Sequence, residues 1–274
     1  MSDVRKETPV LWNTRTPCSA DSCVADARGH RPLRQFVFHA VNIAGTVAAL
    51  VDRQFGDRWH RRIRSWWSRS VPRACGVQVR VMRSPIPVHD RGVLVVANHT
   101  SWLDMPLLNG TYPGRFVAKA GIADEGYFLR LVASLTRAVR VERQDLSSVT
   151  AAIAEVVELL RRGETVVVFP EAACWCGRHQ GVFHPAFFQA AIDARAVVQP
   201  VAIRYVSQGG HRTTVTAYVG TVDTFRASLR RITASTGIVA EMTFLQPIEP
   251  DVHTNRRSLA RAAQEAVAAG LAAG

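Results

Sequence analysis

The sequence predicts an α/β fold: a mixed, largely parallel sheet flanked by helices, preceded by an N-terminal helical segment. Three observations carry this. Runs such as "VLVVA" (93–97) and "TVVVF" (165–169) are apolar at every position, as strands covered on both faces must be. These runs alternate with segments of helical period, the order of βα units. The longest charge-free stretch, "FVFHAVNIAGTVAALV" (36–51), stands ahead of all of them.

Taken in order, residues 1–29 mix Ser, Thr, Pro, Asp and Arg without period and are expected to be a disordered tail. Residues 30–75 form a helical segment. Its first part has 16 uncharged residues interrupted by His39, Asn42 and Thr46, short of the ~20 that a full span needs. Its second part, "RWHRRIRSWWSRSVPR" (58–73), sets Trp59, Ile63, Trp66 and Trp67 on one helical face amid arginines. A domain over 76–250 follows. "VQVRVM" (77–82) alternates as a half-exposed strand, and 93–97, 115–120, 138–143, 165–169, 196–205, 213–219 and 237–245 read as further strands. Helices are expected at 147–163, where Ser147 or Ser148 can cap and Gly163 can end the helix, and at 186–194 and 224–233. A C-terminal helix occupies 251–274, with its helical pattern over 255–270.

The net charge of +12 requires an anionic partner or a reason, and the cations are nearly all arginine. Nucleic acid is not expected, because the arginines gather beside an apolar segment rather than along a recognition helix. An anionic membrane surface is, since arginine and tryptophan on opposite sides of one helix suit the headgroup layer. Arginines on both flanks of 36–51 favour an anchor in the cytoplasmic leaflet of the inner membrane, with the following domain facing the cytoplasm. The five cysteines, Cys18, Cys23, Cys75, Cys174 and Cys176, show no paired zinc spacing, and no secretory leader pattern opens the chain. Free thiols in a reducing compartment and no metal site are the expectation.

Two strands break into polar clusters. "VVANHTSWLDMPLL" (95–108) sets His99 five residues before Asp104, and "VVVFPEAACWCG" (166–177) runs into Pro170-Glu171. In open α/β sheets, sites gather at the carboxyl ends of strands. Residues five apart lie about 140° apart on a regular helix, so His99 and Asp104 meet only if the chain turns before a helix begins. If they meet, Asp104 fixes the imidazole tautomer and the other ring nitrogen can accept a proton. Two other readings stay open: a structural histidine with Asp104 capping a helix, and a thiol enzyme built on Cys174 or Cys176 with His179 or His184.

Four blocks in order then resemble the glycerolipid acyltransferase family, which includes the lysophosphatidic acid acyltransferases. They are "NHTSWLD", "FVAKAG" with "RAVRVERQ", "FPEAACWCGRHQGVFHPAFFQAA" and "VVQPVAIRY", together spanning about residues 76–206. The resemblance implies a glycerol-3-phosphate acyltransferase-like fold. It also implies transfer of a fatty acyl group from acyl-carrier protein or coenzyme A thioester to a lysolipid hydroxyl, with no resident cofactor. Carried over by position, His99 is the general base and Asp104 its orienting partner. Lys119, Arg143 and Glu171 fall on positions that hold the acceptor, and Pro200 matches the proline of the fourth block. Ala172-Ala173 stand where Gly-Thr is usual, and Cys174 where many members have an arginine for the acceptor phosphate. Arg178 is a candidate to compensate, and a lyso-aminolipid such as lyso-ornithine lipid is the alternative acceptor.

Overall fold

The computed structural model describes residues 16–27, 29–52, 57–82, 91–219, 223–253 and 255–273. Its centre is a seven-stranded sheet in the order β1-β7-β6-β2-β5-β3-β4. The strands are β1 (Val77–Met82), β2 (Val93–Ala97), β3 (Arg115–Lys119), β4 (Val139–Val141), β5 (Thr165–Val168), β6 (Val197–Val206) and β7 (Ile238–Phe244). Every pairing is parallel except β6 with β7. β2 lies between β6 and β5, with Val93 opposite both Val197 and Thr165. The carboxyl ends of β2 and β5, where the two polar clusters begin, are therefore adjacent.

The all-apolar β2 is buried because helices cover both faces of the sheet. Val93, Val95 and Ala97 join one core cluster, and Leu94 and Val96 join the other. The second cluster is closed by α6 (Leu146–Arg161), α7 (Phe188–Ala194) and α9 (Arg256–Ala272). The first is closed by α2 (Pro32–Asp52), α3 (Asp57–Ala74), α4 (Asp104–Thr111), α5 (Tyr127–Leu135) and α8 (Phe225–Ala234). α6 is capped by Asp145, not by Ser147 or Ser148: its carboxylate accepts from Ser147 N at 2.9 Å. α4 and α5 were not among the expected helices.

α2 is amphipathic in an inverted sense. Phe38, Asn42 and Gly45 face inward, while Leu33, Phe36, Ile43, Val47 and Leu50 are exposed. Asn42 interrupts the apolar run for a packing reason: its side chain donates to Phe38 O at 2.7 Å and accepts from Trp67 Nε1 at 3.1 Å. A Cβ at Gly45 would lie 2.6 Å from the Trp67 ring, so glycine permits this close crossing of α2 and α3. Burial of Phe38 contributes roughly 1.5–3 kcal/mol to holding α2 in place. The expected tryptophan face of α3 divides: Trp67 is fully buried, whereas Trp59 and Trp66 are about half exposed.

Two expectations fail on the described residues. The stretch 213–219 alternates like a strand but is irregular, with a turn at 215–216. β7 takes one edge of β6 over Val201–Val206 and β2 takes the other only over Val197–Val201, so the stretch meets just the short free edge near Tyr205. Its backbone instead bonds Tyr205 O from Thr213 N and Thr100 O from Tyr218 N. Nor are residues 16–27 a loose tail. Ser19 caps the short helix α1 (Ala20–Cys23), Ala25 N donates to Thr214 Oγ1 at 3.0 Å, and Cys18 is buried. The rest of the expected tail, residues 1–15 and 28, lies outside the described residues, apart from Gly29.

Candidate active site

The site is built where β2 ends. Asn98 bonds β6 in both directions, donating to Ile203 O at 2.9 Å and accepting from Ile203 N at 2.8 Å. This fixes the strand end from which His99 departs. The chain then turns through residues 100–103 before α4 starts at Asp104, as the five-residue spacing requires. His99 Nδ1 lies 2.9 Å from Asp104 Oδ2.

Asp104 is fully buried and all its capacity is engaged. Oδ2 also accepts from Thr100 N at 2.7 Å and Ser101 N at 2.8 Å, and Oδ1 accepts from Tyr205 Oη at 2.5 Å. A buried carboxylate with four donors remains an acceptor. It therefore assigns the proton to Nδ1 of His99 and leaves Nε2 as the basic nitrogen. Burial, with the adjoining Asp104, pushes the Tyr205 phenol well above its usual range, so it stays a donor. Phe169 stacks on the imidazole with centroids 4.0 Å apart and sets the ring plane.

The second cluster grips the backbone of the first. Glu171 Oε2 accepts from His99 N at 2.6 Å and its Oε1 from Gly181 N at 2.9 Å, while Trp175 N donates to His99 O at 2.8 Å. Both oxygens of Glu171 are thus spent on main chain. Burial raises its carboxyl to about 7, against the pull of those two N–H groups. For His99, burial lowers the imidazole, but the Cys174 sulfur beside it and the Asp104 hydrogen bond outweigh this and raise it.

Residues 78–204 match the family profile described as Acyltransferase. A lyso-ornithine lipid O-acyltransferase of Brucella abortus is 30% identical over 226 residues, covering 78% of this chain and 83% of that protein. This chain belongs to the glycerolipid acyltransferase family. A 1-acyl-sn-glycerol-3-phosphate acyltransferase of Neisseria meningitidis is 38% identical over 152 residues, covering 55% of this chain and 58% of that protein. The chain spans little more than half the length of the first curated relatives it matches. The crystal structure of the 1-acyl-sn-glycerophosphate (LPA) acyltransferase, PlsC, from Thermotoga maritima covers 88% of this chain and 94% of its own, with TM-score 0.65 and 21% identity. That likeness shows the fold.

Within this family frame, the candidate residues separate. His99, Asp104 and Glu171 meet at the ends of β2 and β5. Arg143, half-buried, joins them indirectly by donating from its guanidinium to Ala172 O. Lys119 is exposed at the end of β3. Arg178 is exposed on the lining of a small cavity of about 60 Å³ that Thr100, Glu171, Trp175 and Tyr205 also line, and that lining does not include His99. Ala172, in the place of the usual glycine, has φ of +58°, the left-handed conformation that glycine adopts without strain. Tyr205, Phe169 and Asn98 were not assigned roles from sequence. The signal for Tyr205 was a hydroxyl near the end of an otherwise buried strand.

Proposed function

We propose that the chain is an O-acyltransferase of membrane lipid synthesis, moving a fatty acyl group from acyl-carrier protein or coenzyme A onto the hydroxyl of lysophosphatidic acid. The observation that carries this is the His99–Asp104 pair at the carboxyl end of the central strand. Nε2 of His99 takes the proton of the acceptor hydroxyl as its oxygen attacks the thioester carbonyl, and Asp104 stabilises the imidazolium formed. The carbon–sulfur bond then breaks, and the thiolate leaves with the proton that His99 returns. A thioester is already activated, so no covalent relay through Cys174 or Cys176 is needed. Glu171 acts here as a positioning residue for the His99 backbone rather than as a ligand of the acceptor. Arg143 supports the loop that carries Glu171 and Ala172, and Lys119 and Arg178 are the exposed cations offered to an anionic headgroup or carrier.

A second acceptor, lyso-ornithine lipid, is favoured by two observations. Cys174 stands where the resemblance implies a phosphate-binding arginine in many members, a contact of about 1.5–3 kcal/mol that cysteine does not supply. The Brucella relative also aligns over most of both chains. Assay of thiol release with each acceptor decides between them. Loss of at least ~10²-fold in His99→Ala supports the base assignment, and near-normal turnover in that folded variant refutes it.

The protein is read as held on the cytoplasmic face of the inner membrane. α2 is the one helix among the described residues long and apolar enough to cross a membrane, over Pro32–Val51, and only 17% of that stretch is buried. Its outward apolar face together with exposed Trp59 and Trp66 supports an anchor lying in the leaflet that holds the acceptor. Equal partition into the soluble fraction with and without residues 1–73 refutes the anchor.

A further inference from the structure

Three cysteines far apart in sequence come together behind the catalytic loop. The sulfurs of Cys18, Cys23 and Cys176 all lie within 4.8 Å of one another. Cys18 and Cys176 are buried, among Ala217 and Val219, and Cys23 is partly exposed. Two come from the α1 segment, where one helical turn, closed by Cys23 N to Ser19 O at 3.0 Å, brings Cys18 and Cys23 to the same side. The third stands five residues after Glu171.

Ordinary packing accounts poorly for this. A buried thiol is a small hydrophobe with a weak donor, but Cys23 is only partly buried and still directs its sulfur to the other two. A helix of four residues does not persist by its own hydrogen bonds, and the cluster around it is small. We propose that Cys18, Cys23 and Cys176 form a three-thiolate site for a soft divalent metal, zinc first, that staples the N-terminal segment to the catalytic loop.

Tetrahedral zinc with bonds of ~2.3 Å holds its sulfurs about 3.8 Å apart, so the trio needs to contract by no more than about 1 Å. The partly exposed side at Cys23 leaves the fourth position to water. Binding forms three metal–sulfur bonds and releases the protons of whichever thiols are neutral, with no change of oxidation state. Burial raises the Cys18 thiol, and a bound cation reverses that by taking the thiolate. The staple bears on the site because Trp175, next to Cys176, donates to His99 O, and Glu171 holds His99 N.

The test uses the full chain purified in detergent without chelators. Elemental analysis should find about one zinc per chain, and cobalt exchanged for zinc should show sulfur-to-metal charge-transfer absorption. Cys18→Ser, Cys23→Ser and Cys176→Ser should each weaken zinc binding by at least ~10-fold in competition with a chromophoric chelator. Cys75→Ser and Cys174→Ser should leave it unchanged. Cys23→Ser, at the partly exposed position, guards against loss of fold, and chelation of the wild-type chain should lower its melting temperature. No bound zinc or cobalt in the wild type overturns the proposal. So does full metal content in Cys176→Ser, or a disulfide among the three in protein alkylated under anaerobic conditions.

Discussion

Replacing Asp104 by asparagine tests the site most directly, because the structure dictates how the new amide must sit. Oδ2 faces three N–H groups, two of them main chain, whereas Oδ1 faces only the Tyr205 hydroxyl. An NH₂ group at the Oδ2 position would leave two buried backbone donors unsatisfied, at about 1–3 kcal/mol each. At the Oδ1 position it meets a hydroxyl that can rotate to accept. The amide oxygen therefore stays on His99, and the tautomer with the proton on Nδ1 survives. What is lost is the charge that stabilises the imidazolium. A neutral bond in place of a charge-assisted one, together with the lost ion attraction at an effective dielectric of about 20, amounts to roughly 2–4 kcal/mol. That is about 30- to 10³-fold in kcat/KM, well short of the ~10⁴-fold that a serine-protease triad loses when the same exchange inverts its tautomer. Tyr205→Phe should be costly in the wild type and should still cost about 1–3 kcal/mol of stability once Asp104→Asn is in place, because the amide NH₂ then loses its acceptor. Thiol-release kinetics give the magnitude, and NMR of ¹⁵N-histidine shows which ring nitrogen carries the proton. A loss of 10⁴-fold or more with the proton on Nε2 refutes the orientation argument, and a loss under about 3-fold refutes the role of the charge.

Because the Cys174 sulfur and Asp104 together raise His99, the acid limb of kcat/KM should lie above the ordinary imidazole range. Cys174→Ser should move it to lower pH with transfer retained, and an unmoved limb sinks the coupling. Glu171, raised from 4.5 to about 7, holds a proton in the folded state that it lacks unfolded. Its contribution is complete below about pH 4.5 and lost as pH rises through about 7, roughly 3 kcal/mol in all. Urea midpoints should fall over that window in the wild type and stay flat in Glu171→Gln. Ala172→Gly should relieve left-handed strain and stabilise by up to about 1 kcal/mol, or about 2–4 °C in Tm; a lower Tm contradicts the strain.

The sequence by itself determined the alternation of strands and helices, because burial on both faces leaves runs of Val, Leu and Ala that nothing else explains. It also determined where the site begins, since a histidine and a glutamate cannot interrupt two such strands without a polar destination. The tertiary structure decided what those interruptions do. That Asp104 has four donors depends on Tyr205, a hundred residues away on β6, and on a turn whose main-chain N–H groups no spacing reveals. That Glu171 holds backbone rather than facing outward depends on β5 lying beside β2 in the sheet. The stretch 213–219 carries the pattern of a strand, but the pattern does not record that β2 and β7 leave β6 only a short free edge near Tyr205. Cys18, Cys23 and Cys176 show no ligand spacing because their convergence is long-range. Local periodicity records which face of an element is buried, whereas neighbours across the sheet are set by chain topology, which leaves no local trace.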